Sequence, residues 1–204
     1  MKNPVKKTFR QIRYDEKKDQ LIESAARIFF KKSYEKATME DISNELLLTK
    51  GSLYSYIKSK EDLLFQCHMK AIRMGIRDLI EITNSDLPAE VKLREAIIRH
   101  VELITKEFVV GTLRQQEFLL PKHMREKVIK ERDKFERMFL KILREAIKTG
   151  PFNKDNAKMI AYAILGALNW IPRWYSATGK FSPTQIGEIM ADYLIGNIER
   201  NVKR

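Results

Sequence analysis

A single cysteine in 204 residues excludes an intramolecular disulfide framework and suits a reducing compartment, so a cytoplasmic location is expected. No stretch approaches the roughly 18 consecutive apolar residues that a membrane span needs. The basic N-terminus, MKNPVKKTFRQIRYDEKKDQ, lacks the apolar segment of a signal peptide, so no membrane partner is expected. Histidine is scarce. His68 follows Cys67 directly, which on a helix turns the two about 100° apart, and His100 and His123 stand alone. There is no HExxH spacing, no zinc-ligand pattern and no phosphate-binding glycine loop. An α-helical enzyme is therefore the weakest of the function classes: no catalytic residue, metal or cofactor is expected. Strand-like alternation is missing too, and the chain reads as all-α with about nine helices.

Positive charge is what the chain has in surplus, with a formal net of +12. Residues 1–62 hold 14 Lys and Arg against 10 Asp and Glu, and the remaining 142 residues hold 25 against 17. Bulk charge thus favours a polyanionic partner without marking either region as its reader. Two readings fit the larger region's surplus: general solubility, or an anion met there as well.

The organising stretch is Thr38 to Leu64, TMEDISNELLLTKGSLYSYIKSKEDLL. Thr38 with Asp41 three residues on has capping-box spacing, and Ile42 and Leu46 share the face of a first short helix. The chain breaks around Leu47 to Thr49. A second short helix follows over Lys50 to Tyr56, with Leu53 and Ile57 inward. Ser59, with Asp62 after it, caps a longer helix. Two helices this short need a third to pack on, and Leu21, Ile22, Ala25, Ala26, Ile28, Phe29 and Phe30 supply an apolar face with helical spacing from about Glu16 to Lys32.

Ile22, Ala25, Ala26, Phe29, Tyr34, Thr38, Asp41, Ile42, Lys50, Gly51, Ser52, Leu53, Tyr54, Tyr56, Lys60 and Leu63 together resemble the DNA-binding domain of the TetR family of transcriptional repressors. Two residues depart from that pattern. Ser33 stands where the family usually has glycine after the first helix, and Leu47 where it has glycine in the turn between the short helices. A left-handed backbone at Leu47 would cost roughly 1–2 kcal/mol.

The resemblance implies DNA contacts from Thr49, Lys50, Ser52, Tyr54, Tyr56 and Lys60, with Ser55 helping to select bases. Thr38 and Lys60 sit at flanking helix starts suited to phosphate, and Gly51 lets the sugar-phosphate backbone come close. It also implies a homodimer on palindromic double-stranded DNA, released by a small-molecule effector. The domain reading is a flexible basic arm over 1–16, a helix-turn-helix domain over 17–62, and a ligand-binding and dimerisation domain over 63–204, joined by a shared fourth helix from Ser59 to about Thr83. Cations in the arm fit either added phosphate contacts or a solubilising tail.

In the larger domain, helices are expected near Pro88 to Thr105, Thr112 to Leu120, Met124 to Thr149, Lys154 to Trp174 and Ser182 to Asn197, with Gly111 interrupting the apolar patch EFVVGT. Residues 157–174, AKMIAYAILGALNWIPRW, are apolar on more than one face. Together with Gly166, Gly187 and Gly196 they suit a symmetric four-helix interface between two copies; in a monomer these helices would be internal. Ile72, Ile76, Ile104, Phe108 and Phe118 are candidate effector-pocket walls as well as candidate core. Gly166 to Ile186, GALNWIPRWYSATGKFSPTQI, resembles the end region of TetR-family repressors of fatty-acid and steroid degradation. That likeness implies an acyl-CoA inducer, with Trp170, Arg173, Trp174 and Arg114 near its head; Trp170 and Trp174 equally suit a dimer interface. The alternative effector is an amphipathic drug-like cation, as in efflux-pump repressors, for which Glu102, Glu107 and Glu117 are available.

Overall fold

The computed structural model describes residues 8–113, 117–149 and 156–200, with only the backbone of 197–200. Among these residues it is all-helical: α1 (Phe9–Lys32), α2 (Met39–Glu45), α3 (Lys50–Tyr54), α4 (Lys60–Asn84), α5 (Ala89–Ile104), α6 (Glu107–Leu113), a 3-10 turn (Glu117–Leu119), α7 (Lys122–Thr149), α8 (Ala157–Asn169), the one-turn α9 (Ile171–Trp174) and α10 (Pro183–Arg200). Counting α9 as the kinked end of α8 gives, among the described residues, the nine helices expected. The kink has a cause. Pro172 lacks an N–H and its ring crowds the preceding turn, so α8 stops at Asn169 and restarts with proline in the first turn of α9.

Three expectations need correction. The arm expected over 1–16 is helical from Phe9, because Thr8 and Gln11 form a capping box, Thr8 Oγ1 accepting from Gln11 N–H and Gln11 Oε1 from Thr8 N–H. Residues 1–7 lie outside the described residues. Gly111 does not interrupt a helix but sits inside α6, which starts at Glu107 rather than Thr112. Gly187 permits the close helix approach expected of it, but against this chain's own α5 and not a second copy: a Cβ there would lie 2.9 Å from Ile98 Cα.

The interior forms two clusters strung along α4. Leu63, Leu64 and Cys67 pack with Leu21, Phe29, Ile42, Leu53 and Ile57 in the head, and Val109, Leu120 and Val128 from α6, its following turn and α7 close that cluster from above. The Cys67 thiol donates to Ile22 carbonyl oxygen at 3.4 Å, fastening α4 to α1, and burial pushes it up to about 12. One helical stretch further on, Leu79 and Ile82 pack with Leu93, Ile97, Phe139, Leu143 and Leu168 in the second cluster. Each such fully buried aliphatic contributes roughly 1.5–3 kcal/mol, so neither cluster depends on the charged surface. The head cluster is drawn tight by a close approach: a Cβ on Gly111 would sit 2.4 Å from Ala26 carbonyl oxygen, so only glycine lets α6 lie this tightly on α1.

Candidate nucleic-acid interface and effector chamber

The head presents three helix starts, each with its own cap. Thr38 Oγ1 accepts from Asp41 N–H at 3.1 Å, while Asp41 accepts from Thr38 N–H at 2.9 Å. Thr49 Oγ1 accepts from Ser52 N–H, and Ser59 Oγ from Asp62 N–H. Lys32 beside Asp41, together with the Thr38 cap, holds that carboxyl down at about 2. Between α2 and α3 the chain turns at Leu47, whose φ is 53°, and Leu48 N–H then donates to Ser43 carbonyl oxygen at 2.8 Å. The turn residue is thus left-handed without being glycine, the case that costs roughly 1–2 kcal/mol.

Thr38, Thr49, Lys50, Gly51, Tyr54 and Ser55 are all exposed around α3, and Ser52 is half-buried. An added Cβ on Gly51 would meet nothing, so the backbone there is open to a close-approaching polymer. Lys50 holds Glu40 at 3.1 Å, but both side chains are mostly in solvent, and a surface pair this weak exchanges readily for phosphate. Ser55 Oγ donates back to Ser52 carbonyl oxygen at 2.6 Å.

Two of the sequence candidates have other partners. Tyr56 is stacked on Tyr14 with centroids 4.8 Å apart, and Tyr14 hydroxyl donates to Ser55 carbonyl oxygen. Tyr14 thereby braces α3 from α1, a role missed because the helix was expected to start after it; its helical spacing to Leu21, seven residues on, was the available signal. Lys60, expected at phosphate, donates instead to the carbonyl oxygens of Tyr34, Ala37 and Glu35, with its ammonium 4.5 Å from the centre of the Tyr34 ring. It ties the end of the α1–α2 connection to α4, and its three protons are spent there.

Above the head, α4, α5, α6, α7 and α8 enclose a chamber of about 560 Å³, within the roughly 300–1,000 Å³ usual for small-molecule sites. Ile72, Ile104, Val109, Leu113, Phe135 and Leu165 make it mainly apolar, and Arg132, Glu136 and Asn169 add polar points. Arg132 also donates to Glu117 at 2.7 Å. His100 Nε2 lies 3.1 Å from Asn169 Oδ1, its ring tilted against Phe135, and burial holds it below its ordinary value, so it is neutral near pH 7.

Of the eight ligand candidates among the described residues, only Ile72 and Ile104 line the chamber. Ile76 is buried in α4 outside the chamber lining, and Phe108 belongs to the head cluster under the Lys70 ammonium. Phe118 is exposed on the 3-10 turn, and Arg114 lies outside the described residues. Trp170 and Trp174 are more than half exposed, with the Arg173 guanidinium stacked on the Trp170 ring at 5.0 Å. These three sit on the outer surface after α8, because the Pro172 kink carries them off the chamber wall. His100, Asn169, Arg132 and Phe135 were missed: they come together only when α5, α7 and α8 pack, and no spacing in the sequence announces that.

Two family profiles match the chain: one described as bacterial regulatory proteins, tetR family, over residues 21–67, and one described as tetracyclin repressor-like, C-terminal domain, over residues 86–198. The transcriptional repressor KstR2 of Mycobacterium tuberculosis is 25% identical over 190 residues, which cover 90% of this chain and 94% of that protein. The crystal structure of the regulator PfmR from Thermus thermophilus superposes with a TM-score of 0.80 at 27% identity, covering 87% of this chain and 98% of PfmR. AibR, solved in complex with isovaleryl coenzyme A and operator DNA, shares the fold with a TM-score of 0.75 at 22% identity, over 87% of this chain and 97% of AibR.

Proposed function

The chain belongs to the TetR family of ligand-responsive transcriptional repressors, and we propose that it acts as a homodimer that occupies a palindromic operator and is released by an acyl-CoA thioester. The observation that carries this reading is the joining of a capped helix-turn-helix head to an apolar chamber through one short helix. Val109 and Leu113 of α6 line the chamber while Gly111 of the same helix rests on α1. A ligand that needs α6 in a different place therefore shifts the head on which α3 is mounted. It releases DNA to the extent that it binds the displaced shape more tightly than the DNA-bound one.

The acyl-CoA assignment rests on the chamber's apolar walls and on the isovaleryl coenzyme A bound by AibR. The chamber suits an acyl group, leaving the nucleotide head at its mouth, where Arg132 offers a guanidinium to phosphate. Thr38, Thr49, Lys50, Gly51, Ser52 and Tyr54 are the surface offered to the operator. The exposed apolar residues Tyr162 of α8, Trp170 just after it, and Ile189 and Tyr193 of α10 supply the face for the second copy.

One observation favours the drug-like cation as a second reading: Glu136 lines the chamber. Two of the other candidate carboxylates are engaged elsewhere, Glu117 with Arg132 and Glu102 with the Thr184 hydroxyl.

A competition gel shift on DNA upstream of its own gene and neighbouring operons tests the proposal, with acyl-CoAs of graded length against free CoA, free fatty acid and amphipathic cations. Release by acyl-CoA alone supports it, and the preferred length measures the chamber. A specific shift that only the cations release replaces the thioester with the second reading.

A further inference from the structure

The basic surplus of the larger domain is concentrated on α7, which carries ten Lys and Arg against five Asp and Glu. Its placement is ordered. Lys127, Lys130, Lys134, Arg137, Lys141 and Arg144 recur at alternating steps of three and four, all exposed, with Lys148 one turn further on. At 100° per residue they form one stripe roughly opposite Val128, Phe139, Ile142 and Ala146, which face the interior. From Lys127 to Arg144 the stripe runs about 26 Å at 1.5 Å per residue. Asp133 and Glu126 flank it. Glu145 stands 4.0 Å from Lys141, and Glu126 is spent at the same distance on Lys122, before the row begins. Like charges three and four residues apart work against the helix that bears them, and a polyanion relieves that repulsion.

We propose that the outer face of α7 is a second DNA-binding surface, a sequence-independent one that takes the phosphate backbone of a duplex. Three observations select this occupant. Lysine dominates the stripe, giving point charges suited to phosphate, with Arg137 and Arg144 among them, and it holds no Asn or Gln to read adenine and no interleaved aromatic rings for single-stranded nucleic acid to stack on. The opposite face of α7 is committed to the interior, so no apolar flank remains to enter a lipid surface as amphipathic membrane helices do. Met124 and Val128 at the start of α7 pack in the head's own cluster, while Phe139 to Ile147 pack in the second. The stripe therefore leads away from the DNA-reading head along the side of the molecule, where a flanking or neighbouring duplex segment can meet it.

The test needs no operator and so stands apart from the repressor reading. Affinity of the full-length protein for a random-sequence duplex is measured across a salt series, for wild type and for the fourfold variant K130Q/K134Q/R137Q/K141Q. Glutamine keeps helix propensity while removing charge, and circular dichroism checks the fold; should helicity fall, the pair K134Q/K141Q carries the same comparison. Each lost phosphate contact lowers the slope of log K against log salt by about 0.9, so the expected fall is about 2–4 for the fourfold variant. The head variant K50A/Y54A should keep the stripe's share of the slope. Equal slopes for wild type and the stripe variants overturn the proposal. So does a stripe variant that loses binding only to phosphatidylserine-containing vesicles, which would assign the face to a lipid surface.

Discussion

Leu47 is left-handed and 94% exposed, so nothing in the fold rewards its Cβ. Glycine there should remove about 1–2 kcal/mol of backbone strain and return about 0.4–1 kcal/mol through a freer unfolded chain. Leu47→Gly is thus expected to raise the urea midpoint by the equivalent of about 0.5–1 kcal/mol. Ser33, at φ 64° and ψ 158°, occupies a region that is almost glycine's alone. The Glu35 carboxylate, however, is held below its ordinary value by its own backbone N–H and then by a hydrogen bond from the Ser33 hydroxyl, so Ser33→Gly gains less. Both positions were legible as departures from the family's glycines, and both carry positive φ.

His68 was not legible in this way. Its Nε2 is buried without a partner, and burial, aided by the Arg132 charge, holds it at about 4 against an ordinary 6.5. The unfolded chain takes the proton first as pH falls, so stability is complete above about 6.5 and drains away towards 4, by on the order of 2–3 kcal/mol. Thermal melts at pH 7 and pH 4.5 should show this loss in the wild type and a smaller one in His68→Leu.

At the scale of elements, α6 is the connection to break. Gly111→Ala places a methyl group 2.4 Å from Ala26 carbonyl oxygen, which cannot give way without moving α1. The expected result is a loss of about 1–3 kcal/mol from overpacking together with a head displaced from its DNA-binding position. Operator affinity should fall even where circular dichroism still reports a folded protein; unchanged affinity would mean that α6 does not set the head. The sequence shows α2, α3 and the start of α4 through caps and apolar spacing that need no tertiary information. It does not show α6, because glycine at 111 reads as a break until Ala26 lies against it. It does not show the first two turns of α1 either, because residues 9–16 are mostly polar and their stability comes from the Thr8 cap and the Tyr14–Tyr56 stack.

For the molecule as a whole, the exposed apolar face of α8 and α10 makes the oligomeric state a direct measurement. A charge at Ile189, which is 43% exposed, should disrupt association while leaving the interior untouched. Ile189→Arg is expected to sediment as a monomer with wild-type helicity and to lose most operator affinity, since a single head holds only one half-site. The reading head was recoverable from local pattern. The chamber was not, since its walls come from five helices and exist only after packing; the aromatic pair Trp170 and Trp174, conspicuous in the sequence, ends outside it.

The division of the interior into two clusters along α4 also bears on how such a chain drifts over generations. The chamber draws on both: Phe135 and Leu165 belong with the second cluster, whereas Ala71 and Val109 on its other side belong to the first, with Phe29, Ile42 and Leu53, which set the head. Substitutions far enough apart to share no partner act almost independently. A lineage can therefore exchange one chemical signal for another through changes on the Phe135 and Leu165 side while its descendants go on recognising the ancestral operator, whereas a change at Ala71 or Val109 is felt in the head as well.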